Sequence, residues 1–254
     1  MTSDCPICLG TGFELRSADG GVVSAQRCSC NRQDFSERLL RRARIPRRYD
    51  HCSFDSFEIH DPNHQKGQQQ ALLQAQRWVE TWPAARHGLL LVGPPGTGKT
   101  HIVVALAREL VRRKGARVLF YEQRELLKRI QSTFDSGAPQ REAEVVEPVQ
   151  EAEVLILDDL GASRTTAWGR EVLHDIIAYR YNQELPLVMT SNLQLGDESE
   201  SRRAKSQARP TDAALTLRDR LGDALMSRLY EMCHIVRVSG KDYRSWILRA
   251  KHRV

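Results

Sequence analysis

The chain has 254 residues, 41% of them hydrophobic, and a formal net charge of +6, which suits a soluble globular protein with one large core and a small appendage. No run approaches the roughly 18 apolar residues of a membrane span, and the opening Met-Thr-Ser-Asp-Cys-Pro lacks the basic and apolar regions of a secretory leader, so a cytoplasmic protein without disulfides is expected. The arginine-rich balance fits a nucleic acid or another acidic partner and equally fits a genome-wide bias, so charge alone decides little.

Residues 1–35 are poor in large apolar side chains and could not bury a core unaided. They carry Cys5-Pro-Ile-Cys8 and Cys28-Ser-Cys30. Four thiolates can surround a tetrahedral Zn²⁺ and so fold a segment too small to fold alone, with Gly10 and Gly12 turning the backbone beside the metal. The C-x-C half is tighter than usual, which leaves free thiols and a redox pair as alternatives. A thioredoxin-type pair needs a βαβ context that this segment lacks. Cys52 and Cys233 stand alone and read as packing residues, with His51 and Cys52 as substitute ligands at best.

Residues 36–50 are arginine-rich, with Pro46 closing a short helix. Residues 51–67 read as a linker anchored by Phe54 and Phe57, and Gln68 to Trp82 as a helix that stops before Pro83. Strands are then expected at Leu89–Val92, Arg117–Tyr121, Val154–Leu157, Leu187–Thr190 and His234–Val238. Helices are expected at 101–113, 124–134, 167–182 and 215–230, with a short last one at 243–251. The stretch around Gly137 reads as polar loop, and 196–213 as a flexible insertion without periodicity. Strands alternating with helices imply an α/β fold with a parallel sheet covered on both faces. The expected domains are 1–35, a four-cysteine zinc-binding module; 36–67, an Arg-rich helix and linker; and 68–254, the nucleotide domain.

Gly93-Pro94-Pro95-Gly96-Thr97-Gly98-Lys99-Thr100 follows the apolar run Leu89–Val92 and precedes the helical run from His101. This is the pattern of a phosphate-binding loop. Its glycines let backbone N–H groups turn inward onto phosphates, Lys99 reaches the outer phosphates, and Thr100 places a hydroxyl on Mg²⁺. The helix that starts there adds its positive end. A glycine-rich turn that binds nothing would not require that strand and helix.

Val154-Leu-Ile-Leu-Asp158-Asp159 is a buried strand ending in two acids. Asp158 would hold Mg²⁺ and Asp159 would act as general base on the attacking water, its short side chain favouring slow hydrolysis. Two solvated turn carboxylates are the alternative. Asn192, just past Leu187–Thr190, is the candidate for orienting that water or sensing the γ-phosphate, or else it caps the turn. Arg228, in Ser227-Arg228-Leu229, is the candidate for a finger that completes a neighbour's site in trans, with Arg218 and Arg220 as rivals and a solvated surface arginine as the alternative.

These motifs, in this order, resemble those of AAA+ ATPases. The finer resemblance is to bacterial replicative helicase loaders of the DnaC/DnaI type, within the IstB/DnaC-like ATP-binding family. It is carried also by His101 after the P-loop, Ile45-Pro46-Arg-Arg-Tyr49 and Gly240-Lys-Asp-Tyr243-Arg244, and by the cysteine module. The resemblance implies an AAA+ core without a C-terminal lid, so that no lid-borne second sensor arginine is expected. It implies an ATP- and Mg²⁺-dependent protein that binds the hexameric replicative DNA helicase through its N-terminal module. Copies would assemble side by side and deliver the helicase onto single-stranded DNA. It places that DNA near Phe134 and Thr166-Ala-Trp168, although both aromatics could equally be core residues. An IstB-type transposition ATPase and a nucleotide-dependent adaptor with little hydrolysis are the competing readings. The cysteine module favours the loader; Asp159 in place of the longer Glu keeps the adaptor open.

Overall fold

The computed structural model of the chain describes residues 5–8, 11–17, 23–59, 65–134, 139–163, 166–196 and 215–245. Strands β1 (Phe13–Ser17) and β2 (Val23–Arg27) form an antiparallel hairpin, followed by α1 (Ser29–Arg42) and α2 (Gln65–Thr81). Then come β3 (Gly88–Val92), α3 (Lys99–Glu109), β4 (Val118–Glu122), α4 (Gln123–Phe134), α5 (Pro139–Glu151) and β5 (Val154–Asp158). The rest is α6 (Ala167–Asn182), β6 (Leu187–Ser191), α7 (Leu217–Leu221), α8 (Asp223–Met232) and β7 (Cys233–Arg237).

The last five strands form one parallel sheet in the order β4-β5-β6-β3-β7. Strands β3, β5 and β6 are buried at every position, as their unbroken apolar runs require of a sheet covered on both faces. Side chains alternate between two cores. Leu89, Leu91, Val154, Ile156 and Val188 pack with α2 and α3 on one face. Leu90, Val92, Leu155, Leu157, Leu187 and Met189 pack with residues of α4 to α8 on the other. The sheet therefore fixes the height of every strand's carboxyl end, and in an open α/β sheet that edge is where ligands bind.

The expected strands are all present to within a residue or two. Three features were not anticipated. A helix, α5, occupies the stretch read as polar loop, with Pro148 inside it. A proline normally breaks a helix by removing a donor, and that signal hid this one. The helix expected over 215–230 is two, because Gly222 takes φ 86° between α7 and α8. The hairpin in the cysteine segment is the third. The insertion at 196–213 lies, apart from residue 196, outside the described residues, as does the last helix beyond residue 245.

One buried charge ties the far side together. Arg180 is fully buried on α6. Its Nη1 donates to the carbonyls of Val149, Gln150 and Ala152 at 2.8–3.2 Å, and its Nη2 donates to that of Pro186 at 2.7 Å. It thus satisfies carbonyls at the end of α5 that have no helical partner, and it holds the turn into β6. Arg180→Ala should lower unfolding stability by about 3–5 kcal/mol, through the cavity and the carbonyls left unpaired. Urea unfolding of the purified chain would check this; a loss within about 0.5 kcal/mol, the size of an ordinary surface change, would contradict it.

Candidate nucleotide site

The P-loop leaves β3 at Gly93 and enters α3 at Lys99. Gly96 has φ 73°, and a Cβ there would run into the Asp242 carboxylate. Gly98 has φ 93°, and a Cβ there would meet the ring of Phe57. Only glycine fits either place. Thr97 Oγ1 donates to Pro94 O at 2.9 Å and closes the loop. Lys99 Nζ donates to Gly93 O and Pro94 O, each at 2.7 Å, so the lysine lies folded over the loop it belongs to. Burial pulls its pKa down to about 8, against the opposing pull of Asp159 and Asp158.

The two expected magnesium ligands touch. Thr100 Oγ1 donates to Asp158 Oδ1 at 2.9 Å and lies 3.1 Å from Oδ2. A third group, passed over in the sequence as part of the strand, completes the arrangement. Thr190 Oγ1, at the end of β6, donates to Asp158 Oδ1 at 2.6 Å and accepts from Asp159 N at 2.9 Å. Burial raises the pKa of Asp158, and the two threonine hydroxyls oppose that rise. A carboxylate and a hydroxyl beside a phosphate loop are hard oxygen donors of the kind Mg²⁺ takes, so Thr100 and Asp158 fit that ion.

Asp159 stands just beyond, with φ 58°, a left-handed conformation rarely held by a residue other than glycine. Asn192 Nδ2 donates to Asp159 Oδ1 at 2.6 Å. The expected base and the expected water-orienting residue are therefore one hydrogen-bonded unit. Ser191 Oγ donates to Leu160 O at 2.7 Å, and Leu160 N donates to Thr190 O at 2.8 Å, which fixes the two strand ends against each other.

A cavity of about 840 Å³ opens over this floor. Its walls come from three segments whose part in the site was not expected from the sequence. The linker supplies Arg48, Tyr49 and Phe57, α2 supplies Gln68, and the chain after β7 supplies Lys241, Tyr243 and Arg244. Gln68 Nε2 donates to Thr97 O at 3.2 Å, and Tyr243 N donates to Gly96 O at 3.0 Å. Arg244 is thus a cation beside the phosphate loop, carried by the chain after β7. Glu122, at the end of β4, also lines the cavity. Aromatics in a linker ahead of a P-loop strand were the available signal for Phe57. His101 Nε2 lies 2.8 Å from Ser53 O and donates to it, clamping the linker to the first turn of α3. Burial lowers its pKa.

Other expected residues lie elsewhere. Arg228 projects from α8, and its Nη1 donates to His174 Nε2 on α6 at 2.6 Å. Thr166 caps α6, its hydroxyl accepting from Gly169 N at 3.1 Å. Trp168 is half-buried against the second core. Phe134 ends α4. The cysteines form a separate cluster beside the hairpin. Cys5 and Cys28 have sulfurs 3.7 Å apart, Cys8 and Cys30 3.4 Å, and all four ligand atoms lie within 4.8 Å of one another. Four thiolates about a tetrahedral Zn²⁺, with Zn–S near ~2.3 Å, would stand roughly 3.8 Å apart, so the cluster fits that ion with little movement. Backbone N–H groups of Cys8 and Ile7 hold the Cys5 pKa down to about 6, whereas the contact with the Cys8 sulfur pushes that of Cys30 up to about 12, so the metal-free cluster shares its protons unevenly.

Comparison with known proteins shows the family to which this fold belongs. The family model described as "IstB-like ATP binding protein" matches residues 22–251. The replicative helicase loader DnaC of Escherichia coli (strain K12) is 24% identical over 236 residues, covering 92% of this chain and 90% of that protein. The crystal structure of the DnaC helicase loader superposes with a TM-score of 0.63 and 31% identity, over 76% of this chain and 100% of that one. AMPPCP-bound DnaA from Aquifex aeolicus shares the AAA+ fold at a TM-score of 0.57 and 17% identity, over 80% of this chain and 55% of that one.

The buried lysine makes nucleotide affinity depend on pH in a defined sense. Phosphate favours the ammonium, so binding must return a proton to Lys99 wherever the free protein has lost it. ATP affinity should be level below the pKa of about 8 and weaken above it, approaching about tenfold per pH unit. Lys99→Arg, charged throughout, should flatten the profile. Calorimetric titration with ATP across that range reads both; a wild-type profile as flat as that of the arginine variant would contradict the assignment.

Proposed function

The chain belongs to the family of IstB-like ATP binding proteins that includes DnaC, and from that premise we propose that it is an ATP-controlled loader. It binds the hexameric replicative DNA helicase and delivers it onto single-stranded DNA. The observation that carries this reading is the pairing of a P-loop site with a four-cysteine module on one chain that matches helicase loaders along most of its length.

In this reading Gly93 to Thr100 holds the phosphates, with Lys99 leaving the loop carbonyls for the outer phosphate oxygens. Thr100 and Asp158 hold the magnesium, which supplies charge neutralisation at the phosphates when bound. Asp159, held by Asn192, takes the proton of the attacking water. Arg228 reaches a neighbouring copy's nucleotide, so turnover requires side-by-side assembly. Residues 1–35 form the zinc module, held by Cys5, Cys8, Cys28 and Cys30, that contacts the helicase. Residues 36–67 connect it to the ATPase domain, 68–254. Single-stranded DNA runs past Phe134, at the end of α4, and past Thr166 to Trp168, at the start of α6.

Two experiments test the proposal. The chain should co-purify with its cognate replicative helicase, and Cys5→Ser/Cys8→Ser should lose that association while still binding ATP. No association with the helicase, together with capture of a transposase, would favour the transposition ATPase instead. Asp159→Asn should lower ATP turnover about a hundredfold or more, to the level of Lys99→Ala. Wild-type turnover no faster than either variant would leave a nucleotide-dependent adaptor.

A further inference from the structure

Arg228 lies against an acceptor of an unusual kind for an arginine. The 2.6 Å contact from its Nη1 runs to the ring of His174. A guanidinium can only donate, so His174 Nε2 must hold a lone pair and the ring proton must sit on Nδ1. That nitrogen is 3.7 Å from Asp175 Oδ1. The ring fixes one N–H of the guanidinium without cancelling its charge, and among the described residues the other donors of the fork make no further hydrogen bond and stay available to an anion.

The rival arginines are held differently. Arg218 is paired with the Asp223 carboxylate, which competes with any phosphate for the same charge. Arg220 lays its stem over Gly161 and buries its Nε without a hydrogen-bond partner among the described residues. Arg228, unlike Arg218, has no carboxylate at ion-pair distance among the described residues, and it has a fixed direction. The platform beneath it is firm: Leu173 and Ile177 of α6 pack in one core with Leu225 and Leu229 of α8.

We infer that His174 is a positioning residue for Arg228, aiming the guanidinium as a hydrogen-bond acceptor so that it meets a neighbour's nucleotide already oriented. This rests on the role given to Arg228 above. An orienting contact to a charged donor carries the weight of one charge-assisted hydrogen bond, so its loss should slow turnover about tenfold to a hundredfold.

The test is a double-mutant cycle on steady-state ATP turnover of the full chain, at protein concentrations where copies assemble. Arg228→Ala should be the slowest single variant. His174→Ala should lower kcat about tenfold to a hundredfold with the KM for ATP unchanged. His174→Gln, which returns an acceptor oxygen near the position of Nε2, should recover most of that loss. The double variant should be no slower than Arg228→Ala alone, which a general weakening of the fold would not produce. Thermal unfolding of each variant confirms that it is folded. His174→Ala at the wild-type rate beside a slow Arg228→Ala, additive losses in the double variant, or Gln no better than Ala would each overturn the inference. Arg228→Ala at the wild-type rate would instead overturn the finger itself, and the positioning role with it.

Discussion

The Asp158 carboxylate is the point on which the site turns. It sits buried at the end of β5 and accepts from Thr100 on α3 and Thr190 on β6. A buried charge is costly unless its lone pairs are met, so three elements are obliged to end at one height. Thr190 does double duty by accepting from Asp159 N, which sets the left-handed turn that carries the second acid. The sheet supplies the frame for this. Strand β6 lies between β5 and β3, so the residues at its carboxyl end sit between the acids and the phosphate loop.

Around that floor the chain closes the cavity with segments distant in sequence. His101 clamps the linker, Gln68 reaches the loop from α2, and Tyr243 reaches it from beyond β7. Each contact is made to the backbone of the loop or linker, so the walls hold the loop's shape without using up the groups that face a nucleotide. A change in the loop on binding would pass directly to the linker, and through it towards α1 and the cysteine module.

Much of this was legible in the sequence, and for particular reasons. The strands were readable because continuous runs such as Leu155-Ile156-Leu157 suit nothing but a doubly covered sheet. The P-loop and the acids were readable because their chemistry permits few substitutes. Thr190 was not, because a threonine in a strand is ordinary for its β propensity, and only the neighbouring strand shows that its hydroxyl meets Asp158. Helix α5 was masked by Pro148, and its end is held by Arg180, a tertiary contact with no local signature. The partner of Arg228 was equally hidden, since His174 precedes it by a whole helix and strand.

Thr190 and Thr100 hold the Asp158 carboxylate in the position where it would meet a metal that accompanies ATP. The most direct test of that role is calorimetric titration of ATP, with and without Mg²⁺, into the wild type and Thr190→Val. The variant should bind metal-free ATP within about twofold of the wild type and lose at least about tenfold of the gain that Mg²⁺ confers, the weight of one hydrogen bond to a buried charge. An undiminished Mg²⁺ gain in Thr190→Val would contradict it.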